Sequence, residues 1–309
     1  MTSRPELRRH EVRSVTILTN PAAGHGNAPH AAERAIAHFQ KRGVECIQIV
    51  GVDAEDALRL SRETLDRGTD AFVVVGGDGV ISIALQALAG GDVPLGIIPA
   101  GTGNDHAREY GLPTAAPEAA TDVVVDGWSE EVDLGHIVRP DGSEKWFGTV
   151  MASGFDSLVS DRTNRMTWPH GRMRYNLAIV AEFFNLKALP FRLVLDGDTV
   201  IEQDVTLVAF GNTRSYGGGM LITPDADRSD GFLDITLVSA GPRNRLIRLF
   251  PTVFKGTHVK LPDVHTYRAR SVTVESPGIT AYADGEYASD LPVTVSAVPN
   301  ALRILVPKE

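Results

Sequence analysis

The apolar positions of this chain keep one rhythm over its first 130 or so residues and a different one afterwards. In the first stretch, short apolar runs alternate with segments of helical spacing. Val15–Thr19 reads as a strand closed by Asn20-Pro21, and Ala28–Arg42 has helical spacing that stops at Gly43. Val44–Val50 reads as a second strand, followed by a helix from about Ala54 to Asp66 with Asp53 as its N-cap. Ala71–Val75 is a near-continuous apolar, β-branched run, as expected of a strand buried on both faces. Val80–Ala89 is again helical, and Pro94–Ile98 is another buried strand. Such alternation predicts a Rossmann-like parallel sheet with crossover helices.

Beyond about Glu131, strand patterns dominate. They cover Val132–Val138, Trp146–Met151, Phe191–Leu195, Val205–Phe210, Leu233–Val238, Ser271–Glu275, Ile279–Ala283 and Val293–Ala297. Helical stretches interrupt them around Arg174–Leu186 and Asn244–Val253. A largely antiparallel second domain fits this pattern better than another βαβ unit. The boundary is expected near Asp126–Glu131, after a helix over Pro117–Val125, giving domains of residues 1–130 and 131–298. Periodicity does not say where the last strand, Leu302–Val306, belongs; residues from about 299 to 309 are assigned to the first domain.

A length of 309 residues suits two domains, each with its own core. With 43% hydrophobic and 22% charged residues and no biased tract, the chain is neither disordered, collagenous nor disulfide-rich. The one cysteine, Cys46, fits a reducing compartment. Met1–Glu11 alternates charges and does not read as a signal peptide. No segment approaches the roughly twenty apolar residues that a spanning helix needs. The expectation is a cytoplasmic protein, with peripheral contact at the inner membrane face left open. A net charge of −9 argues against nucleic acid as a partner. It also means that a polyanion would have to be held by local dipoles, a few placed cations and a metal ion.

The strongest local signal is Gly76-Gly77-Asp78-Gly79, between the strand Ala71–Val75 and the helix starting at Val80. Glycines there allow positive φ and let main-chain N–H groups approach a ligand. The following helix N-terminus favours phosphate. A ligand-free tight turn is the bland alternative. A second loop, Pro99-Ala100-Gly101-Thr102-Gly103-Asn104-Asp105, follows the next buried strand. Ligands gather at such strand ends in open parallel sheets. Thr102 offers a hydroxyl to phosphate, and Asn104 or Asp105 offers a helix cap. Asn20-Pro21-Ala22-Ala23-Gly24 ends the first strand and is expected at the same sheet edge. Three such loops favour a nucleotide site.

The second half carries carboxylates instead. Asp225, Asp227, Asp230 and Asp234 crowd one segment around Gly231, flanked by Leu221-Ile222 and Phe232-Leu233. A solvated acidic turn is the simple reading, while the apolar flanks and hard oxygen donors suit Mg²⁺. Asp284-Gly285-Glu286 reads equally as a hairpin turn or as a carboxylate site. Phosphate transfer to an alcohol needs a carboxylate to take the hydroxyl proton.

Together these motifs resemble the catalytic domain shared by diacylglycerol, sphingosine and ceramide kinases. The resemblance rests on Gly76-Gly77-Asp78-Gly79, Pro99 to Asp105, and Asn20 to Gly24. It extends through Asn212, Gly217-Gly218-Gly219, Pro224 to Asp227, Ser229 to Asp234 and Asp284-Gly285-Glu286, spanning roughly Val15 to Val306. NAD kinases and phosphofructokinases share the first element only. The resemblance implies an α/β nucleotide domain, a β-sandwich domain and a cleft between them. It implies ATP held by Gly76, Gly77, Asp78, Gly79, Val80 and Thr102, with Asn20, Asn104 and Asp105 in the same loops. It implies a structural Mg²⁺ on Asp230 and the main-chain oxygens of Asp227 and Phe232. Glu286 would be the proton acceptor, with Asp284 beside it and Asp78 completing the catalytic set.

Two positions depart from the family pattern. Val80 stands where Thr or Ser is usual, and Gly51, before Glu55-Asp56-Ala57, falls where a nucleotide-contacting Thr is usual. Arg162, Arg165, Arg172, Arg174 and Arg214 are candidates for the transferred phosphate, with solvation an equal alternative for each. His106, His136, His170, His258 and His265 lack metal-ligand spacing and read as structural. Leu249–Lys255 reads as a helix packed on a sheet rather than a membrane anchor. The expected function is therefore ATP- and Mg²⁺-dependent phosphorylation of a lipid alcohol, with transient membrane-surface contact. The alternatives are a kinase for a soluble alcohol such as NAD, and a catalytically weak lipid- or nucleotide-binding protein. The lipid's identity and the oligomeric state, a homodimer included, stay open.

Overall fold

A computed structural model describes residues 6–19, 27–154, 188–242, 249 and 251–308. The chain divides into two compact units, Met1–Leu134 with Val298–Glu309, and Gly135–Ala297.

The first unit is built from β1 (Arg8–Arg9), β2 (Ser14–Thr19), α1 (Asn27–Lys41), β3 (Glu45–Val50), α2 (Ala54–Arg67), β4 (Ala71–Gly76), α3 (Asp78–Leu88), β5 (Leu95–Pro99), α4 (Asp105–Glu109) and α5 (Pro117–Asp126), and takes in the start of β6 (Trp128–Val138). β5, β4, β2 and β3 lie side by side in that order, all parallel. The last strand of the chain joins beyond β5, also parallel, with Ile304 opposite Leu95. All six residues of β4 are buried, which explains its unbroken apolar run. α1 and α5 pack together over the sheet, burying Phe39 and Val124 against Ile17, Val73, Val75 and Leu305. Full burial of a ring such as Phe39 contributes about 2–3 kcal/mol. The helix ends follow local chemistry. The Asp53 side chain accepts from Asp56 N at 2.9 Å and caps α2, and α5 starts on Pro117 and ends at Gly127 with φ 71°.

The second unit is antiparallel throughout. Its strands are the end of β6, then β7 (Glu144–Phe147), β8 (Val150–Gly154), β9 (Leu189–Leu195), β10 (Thr199–Gly211), β11 (Leu233–Ser239), β12 (Val264–Ala269), β13 (Ser271–Glu275), β14 (Thr280–Ala283), β15 (Glu286–Asp290) and the start of β16 (Val293–Leu305). Their order is β15-β14-β8-β10-β9-β13-β16, with β11 on the other side of β10 and β12 beyond it. The long β10 pairs with β9 over Thr199–Val205 and with β8 over Leu207–Gly211. Its core includes Phe147, Phe191, Leu193, Phe210 and Ile235. A parallel α/β domain followed by an antiparallel one is the architecture expected from the sequence.

Several strand boundaries differ. The expected strand Trp146–Met151 is two strands, broken at Gly148-Thr149, whose N–H groups donate to a distant side chain instead of the ladder. Val293–Ala297 and the expected strand Leu302–Val306, apart from Val306 itself, belong to one continuous strand, β16. β12 and β15 escape periodicity because they are short and carry polar residues at exposed positions. The helix expected around Arg174–Leu186, and most of that over Asn244–Val253, lie outside the described residues. Among the described residues, no helix is long and apolar enough to cross a membrane.

Candidate active site

In the first unit, the two glycine loops are pressed together at the C-terminal ends of β4 and β5. A Cβ on Gly101 would sit 2.5 Å from Gly77 Cα, and one on Gly103 would sit 2.8 Å from Asp78 Oδ2. These glycines are therefore demanded by the contact between loops. Asn104 adopts φ 51° and staples its own loop, accepting from Gly101 N at 3.1 Å and donating to Gly101 O at 3.0 Å. It is not a side-chain cap of α4. Asp78 begins α3 and reaches the other loop. His106 Nδ1 lies 3.1 Å from its Oδ1, and the N–H groups of Asp105 and His106 donate to it at 3.4 Å. Burial pushes the Asp78 carboxyl up, but the His106 ring and these N–H groups outweigh it and hold the pKa below the usual carboxylate value. Asp78 is thus an anchor between the loops.

Around this anchor, Thr102 is exposed and Val80 is buried within α3. Asp105 is buried and accepts from Arg108 Nη1 at 2.6 Å, while Arg108 Nη2 donates to Gly103 O at 2.6 Å. Arg108 is a cation beside the loops that spacing alone did not single out; its only sequence signal is its place three residues after Asp105. Asn20 lies outside the described residues, as do Arg162, Arg165, Arg172 and Arg174. The donor chemistry here suits a nucleotide's phosphates: the N–H groups of Val80 and Ile81 bond to Gly77 O, whereas those of Asp78 and Gly79, the first residues of the 11-residue helix α3, have no carbonyl a turn earlier in the helix to meet.

The glycine at position 51 has its own cause. A Cβ there would sit 2.5 Å from Ala57 N, inside the first turns of α2. Gly51→Thr is therefore expected to lower stability by about 1–3 kcal/mol and to leave ATP affinity no better than before. Urea denaturation and nucleotide titration of the variant check both points.

In the second unit, Asp284 (φ 51°) and Gly285 (φ 80°) form the turn of the β14–β15 hairpin, and two positive-φ residues are what a type I′ turn needs. The Asp284 carboxylate is buried and accepts from Gly148 N and Thr149 N at 2.8 Å and from Thr149 Oγ1 at 2.5 Å. Buried Asn212 meets the same pair, donating to Gly148 O at 2.9 Å through its side chain and to Thr149 O at 2.9 Å through its backbone N–H. Two sequence motifs separated by some seventy residues thus converge on Gly148-Thr149. Glu286, two residues after Asp284, is exposed. Lys145 Nζ donates to the next carbonyl, Tyr287 O, at 2.6 Å. Burial pushes the Lys145 ammonium below its ordinary pKa, opposed by the charges of Glu286 and Asp284. Lys145 was not legible as a site residue, since nothing in its local sequence ties it to a hairpin 140 residues away.

Asp227 and Asp230 of the acidic turn are hydrogen-bonded within the chain. Asp227 Oδ1 accepts from Ser229 N at 3.1 Å and Ser229 Oγ at 2.7 Å. Asp230 accepts from Phe232 N at 3.0 Å through Oδ1 and from Arg268 Nη2 through Oδ2. Arg268 Nε lies 3.4 Å from Asp234 Oδ2, and the guanidinium groups of Arg268 and Arg270 stand 4.7 and 5.0 Å from the Phe232 ring centre. Asp234 is pushed up to about 6, chiefly by burial, with Asp230 and Asp225 adding to the effect and Arg268 opposing it. A cation on Asp230 would face this guanidinium. Asp227, Asp230 and Phe232 thus lie together in one turn, in which Asp230 is also the partner of Arg268. No cluster of three or more metal-ligating side chains occurs among the described residues. Arg268→Met is expected to cost about 1–2 kcal/mol by leaving the like charges of the turn without their cation. Calorimetry of the variant measures it.

Residues 14–137 match the family described as the diacylglycerol kinase catalytic domain, and residues 149–306 match the YegS C-terminal NAD kinase beta sandwich-like domain. The chain is 62% identical to a diacylglycerol kinase of Mycobacterium tuberculosis (strain ATCC 25618 / H37Rv), over 98% of each chain. In fold it is similar to a diacylglycerol kinase from Bacillus anthracis str. Sterne, with a TM-score of 0.71 and 20% identity over 96% of this chain and 97% of that one. It is also similar to an NAD kinase from Archaeoglobus fulgidus in complex with ATP, with a TM-score of 0.52 and 16% identity over 94% and 93%.

Proposed function

Since this chain belongs to the diacylglycerol kinase family and is a phosphotransferase with an alcohol acceptor, we propose that it moves the γ-phosphate of MgATP to the hydroxyl of diacylglycerol or a related lipid alcohol. The phosphates of ATP are held by the Gly76–Val80 turn with the N-terminus of α3, and by Thr102. Mg²⁺ arrives with the nucleotide and offsets its charge, which an acidic chain needs. Glu286 takes the proton from the attacking hydroxyl. Asp284 and Asp78 act on the chain itself, as anchors of the parts that carry the chemistry. A lipid acceptor implies transient contact with a membrane surface.

The observation that carries this reading is the division of labour in the Asp284–Glu286 turn. Asp284 spends its carboxylate on three donors of the chain, whereas Glu286 presents its own to solvent. The test is transfer of labelled phosphate from γ-labelled ATP, with Mg²⁺, to micellar diacylglycerol, sphingosine and monoacylglycerol, and to NAD in solution. A labelled lipid supports the proposal and names the acceptor. Labelled NADP alone would replace it with a soluble-alcohol kinase, and ATP binding without any product would make the chain a binding protein.

A further inference from the structure

β15, the strand that begins with Glu286, stands at the end of its sheet, with β14 as its one strand neighbour in the described order. Its pairing is irregular: Ala281 lies opposite Ser289, but Tyr282 lies opposite Tyr287, so Ala288 is an extra residue in the ladder. Such a bulge bends the strand and re-aims the side chains next to it. Here it falls two residues after Glu286. A strand of five residues at a sheet edge has few bonds with which to hold this irregular geometry. Loss of the bulge would shift the register by one residue and turn neighbouring side chains to the opposite face.

The carbonyls at the bulge are not left to water. Lys145 Nζ donates to Tyr287 O at 2.6 Å, and Arg139 donates to Ala288 O through Nε at 2.9 Å and Nη2 at 2.6 Å. All three bonds have charged donors, roughly twice as strong as neutral ones. Both cations come from the β6–β7 hairpin, where Ile137 pairs with Lys145 and Val138 with Glu144. That hairpin is itself fixed. Asp141 Oδ1 accepts from Ser143 N at 2.9 Å and Ser143 Oγ at 2.6 Å, and Arg139 Nη1 donates to Ser143 Oγ at 3.0 Å. On the other side, the Tyr282 and Tyr287 rings meet edge to face at 6.3 Å.

We propose that Arg139 and Lys145 are positioning residues for Glu286: they clamp the Tyr287–Ala288 bulge and thereby hold the carboxylate in its reactive orientation. The inference rests on the reading of Glu286 as the proton acceptor. Neither cation needs to touch ATP or the acceptor to act in this way.

The test compares Arg139→Met, Lys145→Met and Lys145→Arg in the full chain, by phosphate-transfer kinetics and by amide hydrogen exchange of Glu286–Asp290. Each methionine variant is expected to lower kcat roughly ten- to a hundredfold with KM for ATP unchanged, and to speed exchange of those amides. Lys145→Arg, which keeps a charged donor, is expected to recover most of the rate and the slow exchange. Unchanged exchange in both methionine variants overturns the clamp whether or not a rate can be measured. Faster exchange with a full kcat overturns its role in positioning. Glu286→Gln, assayed alongside, separates the two claims: if it retains transfer, the reading of Glu286 fails. If it is inactive while the methionine variants keep full rate, the clamp alone fails.

Discussion

Glu286→Gln is expected to reduce phosphate transfer by roughly two to four orders of magnitude while ATP binding stays within about twofold of the unaltered protein. The amide keeps the size of the side chain and cannot accept the proton of an attacking hydroxyl. Little else should change, because Glu286 is exposed and the hairpin turn is held by its neighbours. The Gly76–Val80 turn, proposed above to hold the phosphates, belongs to the first unit of the chain and Glu286 to the second, so nucleotide affinity and proton abstraction are expected to be separable. Single-turnover transfer, with nucleotide affinity from equilibrium titration, checks both. A variant with an undiminished rate would remove Glu286 from the chemistry.

Asp284→Ala should act through a different channel and cost about 3–5 kcal/mol of stability in the second unit. The buried carboxylate satisfies two backbone N–H groups and one hydroxyl at 2.5–2.8 Å, and alanine leaves all three without an acceptor. The turn residue also has φ 51°, which alanine tolerates less well than aspartate. Loss of transfer is expected as well, because the turn leads directly into Glu286. The distinguishing measurement is denaturant unfolding. Asp284→Ala shifts the midpoint strongly and Glu286→Gln does not. An Asp284→Ala protein of full stability but no activity would make Asp284 a direct participant in the reaction instead.

How much of this was legible in the sequence depends on the range over which each signal acts. The parallel half was readable because β4 is buried along its whole length and because Asp53 caps α2 through a contact three residues away. The Asp284-Gly285 turn was readable for the same reason, since Asp-Gly is a local device. What escaped depends on distant partners. Gly148-Thr149 breaks a strand because Asp284 and Asn212 hold it. Gly51 is a glycine because Ala57 lies where its Cβ would be. Arg268 reaches Asp230 from β12, 38 residues on, and no periodicity announces that meeting.

The placement of the last strand has a consequence for how the protein is made. The first unit's sheet takes its strand beyond β5 from the far end of the chain, where Ile304 pairs beside Leu95. During vectorial synthesis the parallel half emerges before the antiparallel one, yet its sheet lacks that strand until some two hundred further residues have been translated. The nascent half must wait with the outer side of β5 uncovered, a state open to wrong partners. Its completion is a long-range event, and such pairings fold slowly.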